Sequence, residues 1–458
     1  MILKNIHIGR TFLLVALILL VTGLVFGLMA ALNYILPGNL KDSLGFISLR
    51  PLHVSSVQFW ILLGASGSVF CSLELLSKKK SNQTISLLQL LLWLIAIFGI
   101  LRSYFIKDFG GREYWEFNPI WALPLAAAWL LFLVNFFMTV KPLKNWPVYV
   151  WMWMTGIVFF LFTFTENYLW IFPYFREHFV KDMTIQWKVN GSLVGSWNQI
   201  IYGTSFFLMT RISGSDEVTR SKLAFGMYFL GLFNLMFNWG HHIYTLPTAP
   251  YVRYFGYGVS MTEWFIFLRL IYTWRQSLTD IQKHYHYFPY RFLMAADLWV
   301  FLNIGQALLM SIPAINIYTH GTHVTVAHAM GTTIGINTMI LMAACFEFLG
   351  NNCGVLNLKR ANRQFWIVQL SLVVFWLALN IAGVKKAMWQ MSTQQQNFSK
   401  MMEGLYPWFG LFILAGLILS ISLGSIAFNL VKSYLSCRIR LHKEKIKSIS
   451  VSHIQIPE

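Results

Sequence analysis

Apolar runs long enough to cross a bilayer recur along this 458-residue chain, and that leaves it few folds. Lipid satisfies no backbone N–H or C=O group, so only helices, which bond internally, or closed barrels can span it. A spanning strand needs roughly 9–11 residues and a spanning helix about 20. The runs here match the second length. Twelve can be traced, over residues 11–35, 53–76, 86–106, 119–140, 147–171, 186–210, 222–245, 253–274, 290–312, 322–347, 364–383 and 406–432, joined by short polar loops. With 57% hydrophobic and 11% charged residues, the chain falls far from soluble domains, which carry about 25% charged residues. The expectation is an all-α polytopic membrane protein. Residues 1–432 would form a twelve-helix transmembrane domain and residues 433–458 a basic tail.

A net charge of +18 raises the question of nucleic acid, but the basic residues sit in short loops rather than on one amphipathic face. We therefore expect a lipid partner and no nucleic acid. An even helix count puts both termini on one side, together with Lys78–Lys80, Lys141, Lys144, Arg211, Arg220, Lys222, Lys283, Lys359, Arg360, Arg363 and the basic tail. About 22 Lys and Arg on that side against about 12 on the other make it cytoplasmic by the positive-inside rule, as in a bacterial inner membrane protein. The first run follows Lys4 and Arg10 without a small-residue cleavage site and reads as a retained helix. The four cysteines, Cys71, Cys345, Cys353 and Cys437, fall at inner ends or in the tail, where disulfides are rare. No C-x-x-C-H occurs, so a c-type heme is not attached to this chain.

Intramembrane histidines are costly unless paired or metal-bound. Four occur: His53 opening the second span, His241 and His242 near the end of the seventh, and His328 one to two turns inside the tenth. Alternating helix directions bring all four to the outer layer. Helix bundles build cofactor sites from facing helices, and imidazole suits iron, including heme iron. Two residues on, Met330 projects to nearly the opposite side of the helix from His328, at about 100° per residue. One helix is thus able to serve two hemes. His178, His284, His286, His442 and His453 read as solvated, and His320 and His323 as caps near the site.

The stretches RPLHVSSVQFWILLG (50–64), NWGHHIYTLP (238–247) and THGTHVTVAHAMG (319–331) resemble the catalytic subunit of nitric oxide reductases, in the heme-copper oxidase superfamily. The resemblance runs through nearly all twelve spans. It implies that His53 is an axial ligand of a low-spin heme b with Met330 in the second axial position, that Arg50 meets heme propionates, and that His328 is the proximal ligand of a high-spin heme b. By the same resemblance His241 and His242 hold a non-heme metal, with Glu263 beside it as the catalytic carboxylate. Glu116, in GREYWEFNP, matches a glutamate that helps bind calcium.

The sixth span departs from the family pattern. It reads VNGSLVGSWNQ, with Asn190 where the third metal histidine belongs, and Val194 and Asn198 where two glutamates belong. An amide oxygen is a harder ligand than imidazole and favours iron over copper. In one branch of the oxygen-reducing members the active-site tyrosine comes from the position of Val194, which disfavours dioxygen reduction unless Tyr244 or Tyr257 compensates. Nitric oxide reduction is the expected activity, with electrons from an external donor such as a cytochrome c subunit or soluble cytochrome. The alternatives are nitric oxide dismutation, whose proteins resemble reductases with Asn for one His and without the neighbouring glutamates, oxygen reduction, and a heme sensor or carrier. No continuous series of acidic residues leads from the inner face to the site, so protons are expected from outside.

Overall fold

A computed structural model describes residues 7–38, 44–78, 80–140, 146–262, 264–350, 356–393 and 397–452. The described chain is a bundle of α-helices. We number the long ones α1 (Ile8–Ala31), α2 (Phe46–Ser77), α3 (Gln83–Phe105), α4 (Ala122–Thr139), α5 (Val148–Glu166), α6 (Phe179–Ser213), α7 (Lys222–Phe237), α8 (Pro250–Ser260), α9 (Trp264–Ser277), α10 (Tyr287–Ser311), α11 (His323–Met330), α12 (Met339–Leu349), α13 (Leu358–Gln390) and α14 (Tyr406–Ser452). Among the described residues ten segments are long and apolar enough to cross a membrane.

The two expected spans outside that set differ for physical reasons. Helix α6 has 35 residues, ample length, but its run is broken by Asn190, Ser192, Ser196 and Gln199, all buried against neighbouring helices. The run 253–274 is divided between α8 and α9, neither long enough to cross alone. Helix α14 continues without a break from Tyr406 into the basic tail, to Ser452. Cys71 and Cys345 are free and buried, and Cys353 lies outside the described residues.

Helix α2 is the most buried of the spans. Buried serines there are costly without partners, and four of them return the hydroxyl to a carbonyl one turn back: Ser56 to Leu52, Ser66 to Leu62, Ser68 to Gly64 and Ser72 to Ser68, at 2.7–2.8 Å. Small residues let α1 lie close against it: a Cβ on Gly67 would meet the Gly9 carbonyl oxygen at 2.8 Å. Two irregular segments interrupt the bundle. A 3-10 turn, Asn238–Ile243, ends α7, and a π-helical stretch, Gly331–Thr338, joins α11 to α12. Both adjoin the sequence-predicted site.

Candidate functional site

His53 sits about two turns past the start of α2, facing α1. Its Nδ1–H donates to the Gly23 carbonyl at 2.7 Å, and a Cβ on Gly27 would lie 2.7 Å from that same nitrogen. The glycine is thus a seat for the ring. With Nδ1 engaged, Nε2 keeps its lone pair and is able to ligate a metal.

Three residues earlier, Arg50 donates from Nη1 to Glu116 at 2.7 Å and from Nη2 to Glu113 at 2.6 Å. Its fork is therefore committed to two carboxylates of the 106–118 loop. Glu116 Oε2 is buried with no hydrogen-bond partner, and burial pushes the Glu116 carboxyl above its ordinary range against the pull of Arg50. A second cation at that oxygen would relieve both conditions. The loop is tied to α6 through Arg112–Asp182 at 2.8 Å and through Gln186 Nε2 donating to the Glu113 carbonyl at 3.1 Å.

That tie places the α2 end beside the second cluster. Trp187, next to Gln186, stacks on His242 with centroids 6.3 Å apart and meets His320 edge-on at the same distance. The His241 and His242 rings lie 4.2 Å apart. His241 Nδ1–H donates to Asn238 Oδ1 at 2.9 Å, and the Ser260 hydroxyl donates to the same oxygen, so a side chain from α8 fixes this ring too. His320 and His328 are near enough to interact electrostatically with both. Gly191 backs onto His242, where a Cβ would stand 3.4 Å from the ring. Its neighbour Asn190 is buried, with one edge of its amide unsatisfied. Among the described residues no three His, Cys, Asp or Glu side chains form a metal cluster. Two imidazoles and an amide fit a metal that accepts nitrogen and oxygen ligands.

His328 and Met330 close α11, both partly buried, and Met330 packs on the main core. The π-helical stretch begins at once. Its widened register shows in Thr338 Oγ1 donating to the Thr333 carbonyl five residues back, at 2.8 Å, while Trp60 of α2 donates to Thr338 at 3.1 Å. Gly331 lets Asn303 approach closely here: a Cβ would meet Asn303 Oδ1 at 2.2 Å and force that side chain to move. Where the family pattern calls for glutamates, Val194 packs on the core and Asn198 accepts from Asn337 at 3.0 Å. Tyr244 donates its hydroxyl proton to the Ser311 carbonyl at 3.1 Å. Glu263 lies outside the described residues.

Residues 7–418 match the family described as "Cytochrome C and Quinol oxidase polypeptide I". The chain belongs to this family. Heme and a metal centre are therefore implied, and the His53 and His241 rings, anchored through Nδ1 with Nε2 left open, and the glycine seat suit them, whereas the unsatisfied atom of Asn190 is its amide Nδ2, a donor rather than a ligand. Among its relatives, a nitric oxide reductase polypeptide of Stutzerimonas stutzeri is 25% identical over 412 residues, covering 82% of this chain and 83% of the relative. A cytochrome c oxidase subunit 1 homolog of Agrobacterium tumefaciens is 23% identical, covering 91% and 81%. A heme-copper terminal oxidase dimer solved by cryo-EM superposes with a TM-score of 0.74 at 14% identity, over 93% of this chain and 84% of that one, which shows the fold.

Two features lie outside what the sequence predicts. His286, expected in solvent, is buried and bonds Glu347 at 3.0 Å, and Arg211 holds the other Glu347 oxygen at 3.1 Å. Asp297 stands alone within the apolar span of α10, and a lone carboxylate in an apolar run is by itself a signal for function. The His323 ring, expected near the site, instead lies among Tyr34 and Phe409 at 5.4 and 4.9 Å.

Proposed function

We propose that this chain is a nitric oxide reductase-like oxidoreductase of the bacterial inner membrane, with both termini cytoplasmic. It would join two NO molecules, two electrons and two protons into N2O and water. The reading is supported by Val194 of α6, which packs against the core at the position where one oxygen-reducing branch has its tyrosine, and by the Tyr244 hydroxyl, already engaged by Ser311.

When bound, two hemes b and a non-heme metal, iron rather than copper, supply electron relay and a bimetallic reduction centre. His53 and Met330 would hold the low-spin heme, and His328 the high-spin one. His241, His242 and Asn190 would hold the metal, with Glu263 beside it moving protons. Hydrogen bonds to Gly23 and Asn238 hold the His53 and His241 rings in one tautomer and orientation. Glu116, with Oε2 open, would accept calcium, and Arg50 would reach a heme propionate by exchanging one of its carboxylate partners. With no C-x-x-C-H in the sequence, electrons would come from an external donor, such as a cytochrome c subunit or soluble cytochrome.

Dismutation of NO to N2 and O2 is the second reading. It is favoured by Asn190, and by Asn198 bonding Asn337 where a carboxylate would stand. Turnover of isotopically labelled NO by the purified protein with reductant separates the readings. The proposal expects N2O as the labelled product at one N2O per two electrons. Labelled N2 with O2 in the absence of reductant would replace it by dismutation, and O2 consumption with inert NO by oxygen reduction.

A further inference from the structure

At the basic end of the bundle, opposite the histidines, cations gather on one stripe of α13. Lys359, Asn362, Arg363 and Trp366 recur at three- and four-residue spacing, so they share one face of the helix. The same face continues through Leu370, Val373, Val374 and Leu377, all exposed on a span apolar enough to cross a membrane. That continuation faces acyl chains. The cations stand where the span leaves the hydrocarbon, and the exposed Trp366 ring marks the boundary, where indoles are enriched.

A third cation is fixed beside the stripe from α10. The Arg291 guanidinium donates to Asn362 Oδ1, which also accepts from the Tyr287 hydroxyl at 3.2 Å. It lies over the Tyr287 ring, 4.4 Å from the centroid, with the Trp366 and Phe365 centroids at 5.7 and 5.9 Å. This aromatic frame orients the guanidinium plane, and the bond to Asn362 leaves most of its five donors uncommitted. Arg360 takes no part, since it is turned to α14 and donates to Ser425 at 3.2 Å.

No carboxylate of the neighbouring sequence answers these charges. Between Glu347 and Glu403 there is no Asp or Glu, and Glu347 is held by Arg211 and His286. On α10 the one carboxylate is Asp297, nearly two turns past Arg291. A ligand for this surface must bring negative charge to the cations and apolar chains to the face that continues from them. Basic clusters at the ends of spanning helices meet anionic lipid headgroups in this way.

We propose that Arg291, Lys359 and Arg363 bind the phosphate of one anionic phospholipid, whose acyl chains lie along Trp366, Leu370 and Leu377. The site is independent of which gas the chain reduces.

The test uses the full-length protein in phosphatidylcholine vesicles doped with lipids brominated on their acyl chains, read by tryptophan fluorescence. Bromine quenches the indoles it touches, and the part of the signal lost in Trp366→Phe isolates that ring among the 19 tryptophans. Brominated phosphatidylglycerol is expected to quench it at a lower mole fraction than brominated phosphatidylcholine. Each basic side chain at such a surface accounts for about a five-fold change in binding, so Lys359→Gln with Arg363→Gln should abolish the preference. Lys222→Gln with Lys283→Gln removes the same charge elsewhere at the basic end and should leave the preference intact. Equal quenching by the two lipids in wild type would overturn the site, as would equal loss in the two double variants, which general surface charge would produce. Inorganic phosphate, set against chloride at the same ionic strength, should not reverse the quenching. Reversal by phosphate alone would overturn the lipid as the ligand.

Discussion

The surroundings of His53 and those of His241 and His242 are built in contrasting ways. His53 stands on a regular helix, buried against a second regular helix, with its ring on a glycine and its Nδ1–H on a carbonyl of the same partner. The paired histidines stand on a 3-10 turn, opposite a helix broken between Ser260 and Trp264, and close to a π-helical stretch. Regular packing suits a ligand whose task is to hold one geometry while electrons pass. Irregular backbone inside a membrane is tolerated only where protein or a cavity satisfies it, and it leaves room for small molecules. On the proposed reading, the contrast sets a regular, tightly packed seat at the relay ligand against irregular backbone at the metal ligands.

The strongest way to break this comparison is to spoil the seat. Gly27→Val would drive a side chain into the His53 ring, and the expected outcome is loss of the low-spin heme spectrum with the bundle still assembled. Gly258, whose added Cβ would meet nothing within 4 Å, should accept alanine with no spectral change. Equal effects at the two glycines would erase the distinction between the regions.

Next in size is Asn190→His, which supplies a third imidazole beside His242. Ligand changes of this kind alter metal affinity by about 10- to 100-fold, so elemental analysis should show tighter retention of the non-heme metal through purification. An unchanged metal content would remove Asn190 from the site. Met330→His should lower the midpoint potential of the low-spin heme, by a part of the roughly 0.8 V that axial ligands span. A redox titration showing no shift would leave Met330 as a packing residue. The smallest effect is expected from Ser260→Ala. It removes one hydrogen bond to Asn238, worth about 1 kcal/mol, and should broaden the metal site's spectrum without emptying it.

Much of the fold was legible because lipid imposes long apolar runs, and ten of the twelve traced runs are helices of spanning length and apolarity among the described residues. The break between α8 and α9 was not legible, since the run 253–274 continues through Met261 and Thr262 and its two glycines, Gly256 and Gly258, lie inside α8 rather than at the break. The π-helical stretch was equally hidden. It depends on Gly331 meeting Asn303 and on Thr338 meeting Trp60, contacts between segments far apart in sequence. The same holds for His286, whose partner Glu347 lies 61 residues away. Asp297 is different: a single carboxylate in MAADLWVFL is visible in the sequence, and only the cavity that α6 and α12 build around it is not.

The central claim is that two ligand sets at one end of the bundle hold two hemes in unlike ways. Heme quantitation by pyridine hemochrome, combined with near-infrared magnetic circular dichroism, tests it on wild type and on His53→Ala. The account predicts two b-type hemes per wild-type chain, one with the His/Met charge-transfer band and one high-spin, and in the variant one remaining high-spin heme. A single heme per wild-type chain, or a His53→Ala variant that keeps both hemes and the His/Met band, would contradict it.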